Sequence, residues 1–249
     1  MARYYDEVGV RIIEFTEPDK RNPVGTNEFQ VFEEALNTAV DNKEINAVLI
    51  RSEGPTFCAG NRKSEFVTDW PQAMHGHAFR FFKALHECEL PIVAAVQGGA
   101  VGGGATMLLH CDMVIMSEKA YLQYPFIQLG VVPEGASTRL LLEKLGLQRA
   151  MDILLMGRRV GADEAVSLGL ASQVVDQDEL ENAVKQRLDI LTQNPREAMI
   201  QTKNLVKQSL NNGIAPLMEQ EIQLIGHLIE KQQADDGSNA FETTFGNKS

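Results

Sequence analysis

Pro91-Ile92-Val93-Ala94-Ala95-Val96-Gln97-Gly98-Gly99-Ala100-Val101-Gly102-Gly103-Gly104 is the stretch on which the fold turns. Residues 92–96 are apolar without interruption, and β-branched at Ile92, Val93 and Val96. A short run of that kind, closed by glycines, is the pattern of a strand buried on both faces. The glycines lead into a segment predicted as a helix to Leu109 or His110. Strand, glycine turn and helix in succession are the connectivity of an α/β protein.

The same alternation extends in both directions. Residues 8–15 read as a strand with mostly alternating apolar positions, 18–23 as a turn-rich loop, and Asn27 as the cap of a helix to about Val40. Residues 47–51 form a second buried-type strand, and 73–90 a helix. Residues 113–116, 120–122 and 174–175 are predicted strands; 138–145, 150–156, 162–168 and 180–193 are predicted helices. Two more helices, over about 196–211 and 215–233, complete the pattern. Strands alternate with helices to about residue 176 and only helices follow, which divides the chain into a core, 1–195, and a helical region, 196–249. The stripe Leu217, Met218, Ile222, Ile225 and Ile229 fits packing on the chain's own core or on another subunit.

With 249 residues, 44% apolar and 23% charged, the chain can bury a sizeable core. No apolar run approaches the ~20 residues of a membrane-crossing helix. Cys58, Cys88 and Cys111 are odd in number and lack metal-type spacing. They point to a reduced, intracellular setting. No apolar segment of the signal-peptide kind follows Met1-Ala2-Arg3-Tyr4-Tyr5, and the expected location is cytoplasmic. The net charge of -11 argues against nucleic-acid or anionic-membrane partners, which need excess Lys and Arg. A phosphate-bearing ligand would need a local basic patch, for which Lys20-Arg21 and Arg62-Lys63 are candidates. Solvated surface charge is the other reading of either pair.

The glycine cluster has neither the G-x-G-x-x-G spacing of a dinucleotide fold nor the Gly-Lys-Ser/Thr ending of a phosphate loop. A strand, a glycine turn and a helix start aim free backbone N–H groups at one spot. They could meet a phosphate or an oxyanion, or the glycines could serve only close strand–helix approach. Phe57-Cys58-Ala59-Gly60-Asn61 is a second small-residue turn after a strand, able to expose the Asn61 N–H. Two N–H groups converging on one oxygen make an oxyanion hole. Glu134, in Gly130-Val131-Val132-Pro133-Glu134-Gly135-Ala136-Ser137, follows a proline turn. It either faces a pocket and moves protons or caps the next helix. His75 and His77 lack the company a metal site needs, so no metal is expected. Cys58 has no base near it in sequence. Phe79, Phe81, Phe82, Leu85 and Phe126 suit an acyl tunnel or a core equally.

Residues 57–61, residues 91–98 with Gly102-Gly103-Gly104, and His110-Cys111-Asp112 together resemble the crotonase (enoyl-CoA hydratase/isomerase) superfamily, from about residue 8 to 210. The resemblance implies an α/β spiral of repeated ββα units with a C-terminal helical oligomerisation region that builds homotrimers or dimers of trimers. It implies an acyl-CoA thioester substrate, with coenzyme A as part of it and no separate cofactor. By position it gives the thioester oxygen to the N–H groups of Asn61 and Gly103. It sets Cys58, Ala59, Gly60, Gly102 and Phe126 along the substrate, and Lys20, Arg21, Arg62 and Lys63 loosely near the CoA phosphates. Hydratases of the superfamily use two glutamates; this chain has Thr106 and Phe126 there, and neither is a base. Glu134 is placed like the single glutamate of the Δ3,Δ2-enoyl-CoA isomerase branch. The expectation is a double-bond shift through a dienolate. A hydratase-like or other enolate-forming enzyme, and a CoA binder without turnover, are the alternatives.

Overall fold

The structure, a computed structural model, describes residues 1–62, 65, 76–208 and 213–236. Lys63 and His75 lie outside the described residues. In chain order the elements are β1 (Ala2–Glu7), β2 (Val10–Phe15), α1 (Thr26–Asp41), β3 (Ala47–Ser52), α2 (His77–Glu87), β4 (Ile92–Val96), β5 (Gly99–Val101) and α3 (Gly103–Leu108). Then come β6 (Met113–Ser117), β7 (Tyr121–Gln123), α4 (Ser137–Leu145), α5 (Leu147–Met156), β8 (Arg159–Gly161) and α6 (Ala162–Ser167). β9 (Gln173–Val175), α7 (Leu180–Gln193), α8 (Arg196–Gln208) and α9 (Ile214–Asp236) follow. Among the described residues, no helix is long and apolar enough to cross a membrane.

A six-stranded sheet has the order β1-β2-β3-β4-β6-β9, parallel throughout except for the β1–β2 hairpin. A smaller sheet has the order β5-β7-β8. In the middle of the chain strands pass from the large sheet to the small one: β4 leads to β5 and then α3, and β6 leads to β7. Each turn of the chain thus lays one strand in each sheet, which produces a ββα spiral. In the earlier turns the second strand shrinks to single bridges, Cys58 with Ala100 and Val24 with Asn61. Those bridges hold the two loops that matter below.

The large sheet is covered on both faces. Val48 and Ile50 of β3 face the main core with Phe32, Phe81 and Leu85, while Ala47 and Leu49 face a second cluster containing Leu180, Val184 and Leu191 of α7. A strand with two buried faces has no polar side, so β3 and β4 read as unbroken apolar runs. Aromatic rings tie α1 and α2 to the sheet, with centroids 4.7 Å apart for Phe15–Phe32 and 5.7 Å for Phe32–Phe81.

Several expectations change. Val8 and Gly9 form the β1–β2 turn, with φ of 45° and 76°, rather than the start of a strand. β1 went unread because it is a half-exposed edge strand with few apolar residues. The first helix starts at Thr26, not after an Asn27 cap; the Glu28 carboxylate accepts the Gly25 N–H at 2.9 Å and does the capping.

Lys203 anchors α8 to the core. Its buried ammonium donates to Asp112 Oδ2 and to Leu90 O, each at 2.6 Å, and the same Asp112 oxygen accepts the Ile92 N–H at 2.8 Å. Asp112→Asn removes the charge facing the ammonium and is expected to cost about 1.5–3 kcal/mol, the range for hydrogen bonds to charged groups. A lower urea midpoint at unchanged m-value would register it.

Candidate active site

Two backbone N–H groups are left free by the way the loops are pinned. The Val24 N–H donates to Gly60 O at 2.9 Å, and the Arg62 N–H donates to Val24 O at 2.7 Å. In such a parallel bridge the residue in between turns its own N–H to the other side. That residue is Asn61. Gly102 spends its N–H on Gln123 O at 2.9 Å and turns the chain at a φ of 55°, a region glycine enters freely. Gly103 then opens α3, and a first helical N–H has no partner within its helix. Among the described residues, neither the Asn61 nor the Gly103 N–H meets a protein acceptor.

Glu134 closes the constellation. A Cβ on Gly103 would stand 2.8 Å from Asn61 Oδ1 and 3.0 Å from Glu134 Oε1. Asn61 Nδ2 donates to Glu134 Oε1 at 3.4 Å. The carboxylate is only 7% exposed and lines a cavity of about 80 Å3 with Phe29, Phe79, Phe82, Met218, Ile222 and Ile225 among its walls. Burial, with the nearby Glu221 charge adding to it and the Asn61 amide opposing, pushes the Glu134 carboxyl up to about 7.

Glu134 does not cap α4 with its side chain. The Ser137 N–H and hydroxyl donate to its backbone oxygen, at 3.1 and 2.7 Å. The cap comes from Glu221 on α9, which accepts the Ala136 N–H and the Thr138 hydroxyl, both at 2.6 Å. His110 Nε2 donates to Gly135 O at 2.8 Å, and burial pulls its imidazole down to about 3, so it stays neutral. Glu221 escaped the sequence reading, and His110 entered it only as part of the family motif, not as a partner of Gly135. Glu221 did leave a signal: it falls midway between Leu217 and Ile225, an acid inside an otherwise apolar stripe.

The other expected contacts divide. Gly60 is buried, at a φ of 91°, and exposed Ala59 ties its N–H to Arg21 O at 3.0 Å. Cys58 is not a cavity wall: it is fully buried, packs where a Cβ on Gly104 would meet its Sγ at 2.8 Å, and has its thiol pushed up to about 12 by burial. Phe126 is likewise a core residue, 3% exposed and absent from the cavity wall, where Phe29, Phe79 and Phe82 stand instead. Arg62 lines the cavity, but its guanidinium is engaged by Glu17 and by Glu28 at 3.0 Å. It is therefore not a free phosphate contact. Lys20 pairs with the same Glu17 at 2.8 Å, and Arg21 is an exposed turn residue with a φ of 63°. Lys20 and Arg62 thus meet on the two oxygens of one glutamate, Glu17, while Lys63 lies outside the described residues. Thr106, at a position where hydratases carry an acid, is fully buried with its methyl facing Gly135.

Asn61, Gly103 and a buried carboxylate thus lie together on a two-sheet ββα spiral, the architecture of the crotonase class. Comparison with known proteins gives the family. The family model described as enoyl-CoA hydratase/isomerase matches residues 6–245. A probable enoyl-CoA hydratase of Mycobacterium leprae is 30% identical over 241 residues, covering 95% of this chain and 92% of its own. 4-chlorobenzoyl coenzyme A dehalogenase-2 of Arthrobacter sp is 28% identical over 222 residues, covering 86% and 80%. The crystal structure of an enoyl-CoA hydratase/isomerase from Pseudoalteromonas atlantica T6c matches with a TM-score of 0.88 at 31% identity, covering 98% of this chain and 95% of that one. The chain belongs to the enoyl-CoA hydratase/isomerase family.

Proposed function

We propose that this family member moves the double bond of a 3-enoyl-CoA to the 2-position, with Glu134 as sole acid–base group. The observation that carries this reading is one buried carboxylate facing the cavity beside the Asn61 and Gly103 N–H groups. Glu134 takes a proton from C2. The electron pair of that C–H bond moves toward the thioester carbonyl, conjugates with the 3,4 double bond and leaves a dienolate with its charge on the thioester oxygen. The two N–H groups hold that charge; each donor is worth ~10²–10³ in rate. The Glu134 acid then returns the proton to C4 as the double bond settles between C2 and C3. No water is consumed and no net proton is exchanged, so one carboxylate suffices. Hydration would need further acid–base help, and the buried Thr106 and Phe126 offer none.

A raised carboxyl suits a base that must give its proton back. The rate constant kcat/KM should rise with pH through an apparent value near 7, well above the 4.5 of an ordinary glutamate. The sign for stability is the reverse. The native state retains its proton between about 4.5 and 7 where the unfolded chain has lost it, so stability falls as pH climbs through that window. An acid limb near 4.5 would contradict the buried base.

Leu147, Met151 and Leu155, exposed at spacing four on α5, offer an apolar face for the homotrimer or dimer of trimers we propose as the assembly. The functional test is a parallel assay on a 3-enoyl-CoA and on crotonyl-CoA. Conversion of the first to the conjugated 2-enoyl product, with little hydration of the second, is the expected result. Fast hydration of crotonyl-CoA would instead establish the hydratase reading that the name of the mycobacterial relative carries.

A further inference from the structure

We infer that Glu221 is a positioning residue: its carboxylate latches the C-terminal helix α9 onto the loop that carries Glu134, so that the base is aimed only when α9 is seated. The inference rests on Glu134 being the base. The loop is an unusual piece of backbone. Gly135 and Ala136, directly after Glu134, both adopt left-handed conformations, with φ of 62° and 58°. Glycine does so freely, but Ala136 carries a Cβ and persists there only if its surroundings impose it. A Cβ on Gly135 would meet Thr106 Cγ2 at 2.7 Å and Phe82 Cδ1 at 2.9 Å, so the loop lies tight against the core.

Each residue of the turn is anchored. The Glu134 oxygen accepts from Ser137 Oγ at 2.7 Å, the Gly135 oxygen accepts from His110 Nε2 at 2.8 Å, and the Ala136 N–H donates to Glu221 Oε2 at 2.6 Å. The first is local and the second comes from the turn after α3. The third arrives from a helix 85 positions away in sequence, and it restrains the strained residue. Glu221 Oε1 accepts the Thr138 hydroxyl at 2.6 Å, so both carboxylate oxygens grip the start of α4.

Glu221 is 3% exposed, which is costly for an acid without a reason to be there. Its neighbours on α9, Met218, Ile222 and Ile225, are walls of the cavity that Glu134 faces. One helix therefore both closes the acyl side of the cavity and fixes the base. The groups bordering the Glu221 carboxylate are Ala136 and Thr138 at the start of α4 and, within reach of its charge, Glu134; beyond Gly135 stands the neutral His110. The Glu221 charge raises Glu134, so its removal should make Glu134 a stronger acid.

Three variants and two readouts test this. Glu221→Ala removes latch and charge; kcat on a 3-enoyl-CoA should fall ~10-fold or more, with KM changed less. Glu221→Gln keeps an oxygen for the Ala136 N–H but loses the charge; it should retain more of kcat while the acid limb of kcat/KM moves to lower pH. A residue that merely helped the chain fold would reduce the folded fraction without moving that limb. Should Glu221→Ala fail to fold, Thr138→Val, which deletes one arm of the grip, should lower kcat severalfold and leave the limb in place. The second readout does not depend on turnover: an infrared titration of the Glu134 carboxyl band, identified as the band missing in Glu134→Gln. Its midpoint should drop in Glu221→Gln. An unmoved midpoint, or a Glu221→Ala enzyme with wild-type kcat and pH profile, overturns the inference. Full isomerase activity in Glu134→Gln would instead overturn the assignment of the base. The infrared midpoint would then still decide whether the latch acts on the Glu134 carboxyl.

Discussion

Glu134→Gln is expected to lower turnover of a 3-enoyl-CoA by ~10²–10⁴, the span of a lost general acid–base, while acyl-CoA affinity measured by calorimetry stays within a few-fold. The substitution is close to isosteric, and a glutamine can still pair with Asn61 Nδ2 across the present 3.4 Å contact. What disappears is the ability to carry a proton from C2 to C4. The same change should raise thermal stability above pH 7. Wild type there holds two buried carboxylates, Glu134 and Glu221, both lifted to about 7 by burial first of all, with the Glu221 charge raising Glu134 further. Loss of rate combined with gain of stability is the mark of a group kept for chemistry and not for packing. A variant that turned over at the wild-type rate would remove Glu134 from the mechanism.

Why Glu134 was legible in the sequence and Glu221 was not follows from where their constraints lie. Asn61, Gly103 and Glu134 each sit in a local pattern, a small-residue turn after a strand, a glycine run before a helix and an acid after a proline turn, so their backbone roles could be read within a few neighbouring residues. Glu221 and His110 act on Ala136 and Gly135 through partners 85 and 25 positions away, and no local pattern reports that. Arg62 was misjudged for the same reason. The carboxylates that occupy it, Glu17 and Glu28, lie 45 and 34 positions upstream, and composition alone makes it look like a free cation. Phe126 went astray differently, since an aromatic residue in an apolar segment has the same signature whether it lines a tunnel or fills a core.

The same contrast holds for the fold. β3 and β4 were evident because burial on both faces leaves an unbroken apolar run, and α7 because one face alone is buried, against Ile12, Leu49 and Val93 among others. β5 and β8 are three residues each, and β5 begins with the glycine of a cluster that also reads as a turn. Their pairing in the second sheet comes from the spiral as a whole. No propensity of Gly99-Ala100-Val101 would demand a strand; its partners Tyr121, Leu122 and Gln123 supply it.

Gly103→Ala keeps its backbone N–H but sets a methyl against Asn61 and Glu134, and should cost ~10² in kcat/KM, the loss that misplaced reacting groups can bring, with urea midpoint and circular dichroism close to wild type. The backbone at Gly103 is ordinary helix, and alanine is preferred to glycine there by roughly 0.5–1 kcal/mol. On folding grounds alone the variant should be neutral or slightly favourable. The damage is confined to the site. The new methyl would stand 2.8 Å from Asn61 Oδ1 and 3.0 Å from Glu134 Oε1, and both side chains must shift by a few tenths of an ångström. That movement disturbs the base and the ground between the two N–H groups at once. A control separates this from general intolerance of glycine replacement: at Gly98 a Cβ would meet Pro55 O at 1.9 Å, a backbone collision, so Gly98→Ala should lose stability along with activity. The double variant Gly103→Ala, Glu134→Gln should be little worse than Glu134→Gln alone, because the methyl acts in large part by displacing the Glu134 carboxylate, which is already gone as a base. Additive losses would mean that the methyl does its damage elsewhere than at Glu134. Ground-state affinity should barely respond in any of these variants, since the N–H groups do most of their work on charge that exists only as the C2 proton leaves.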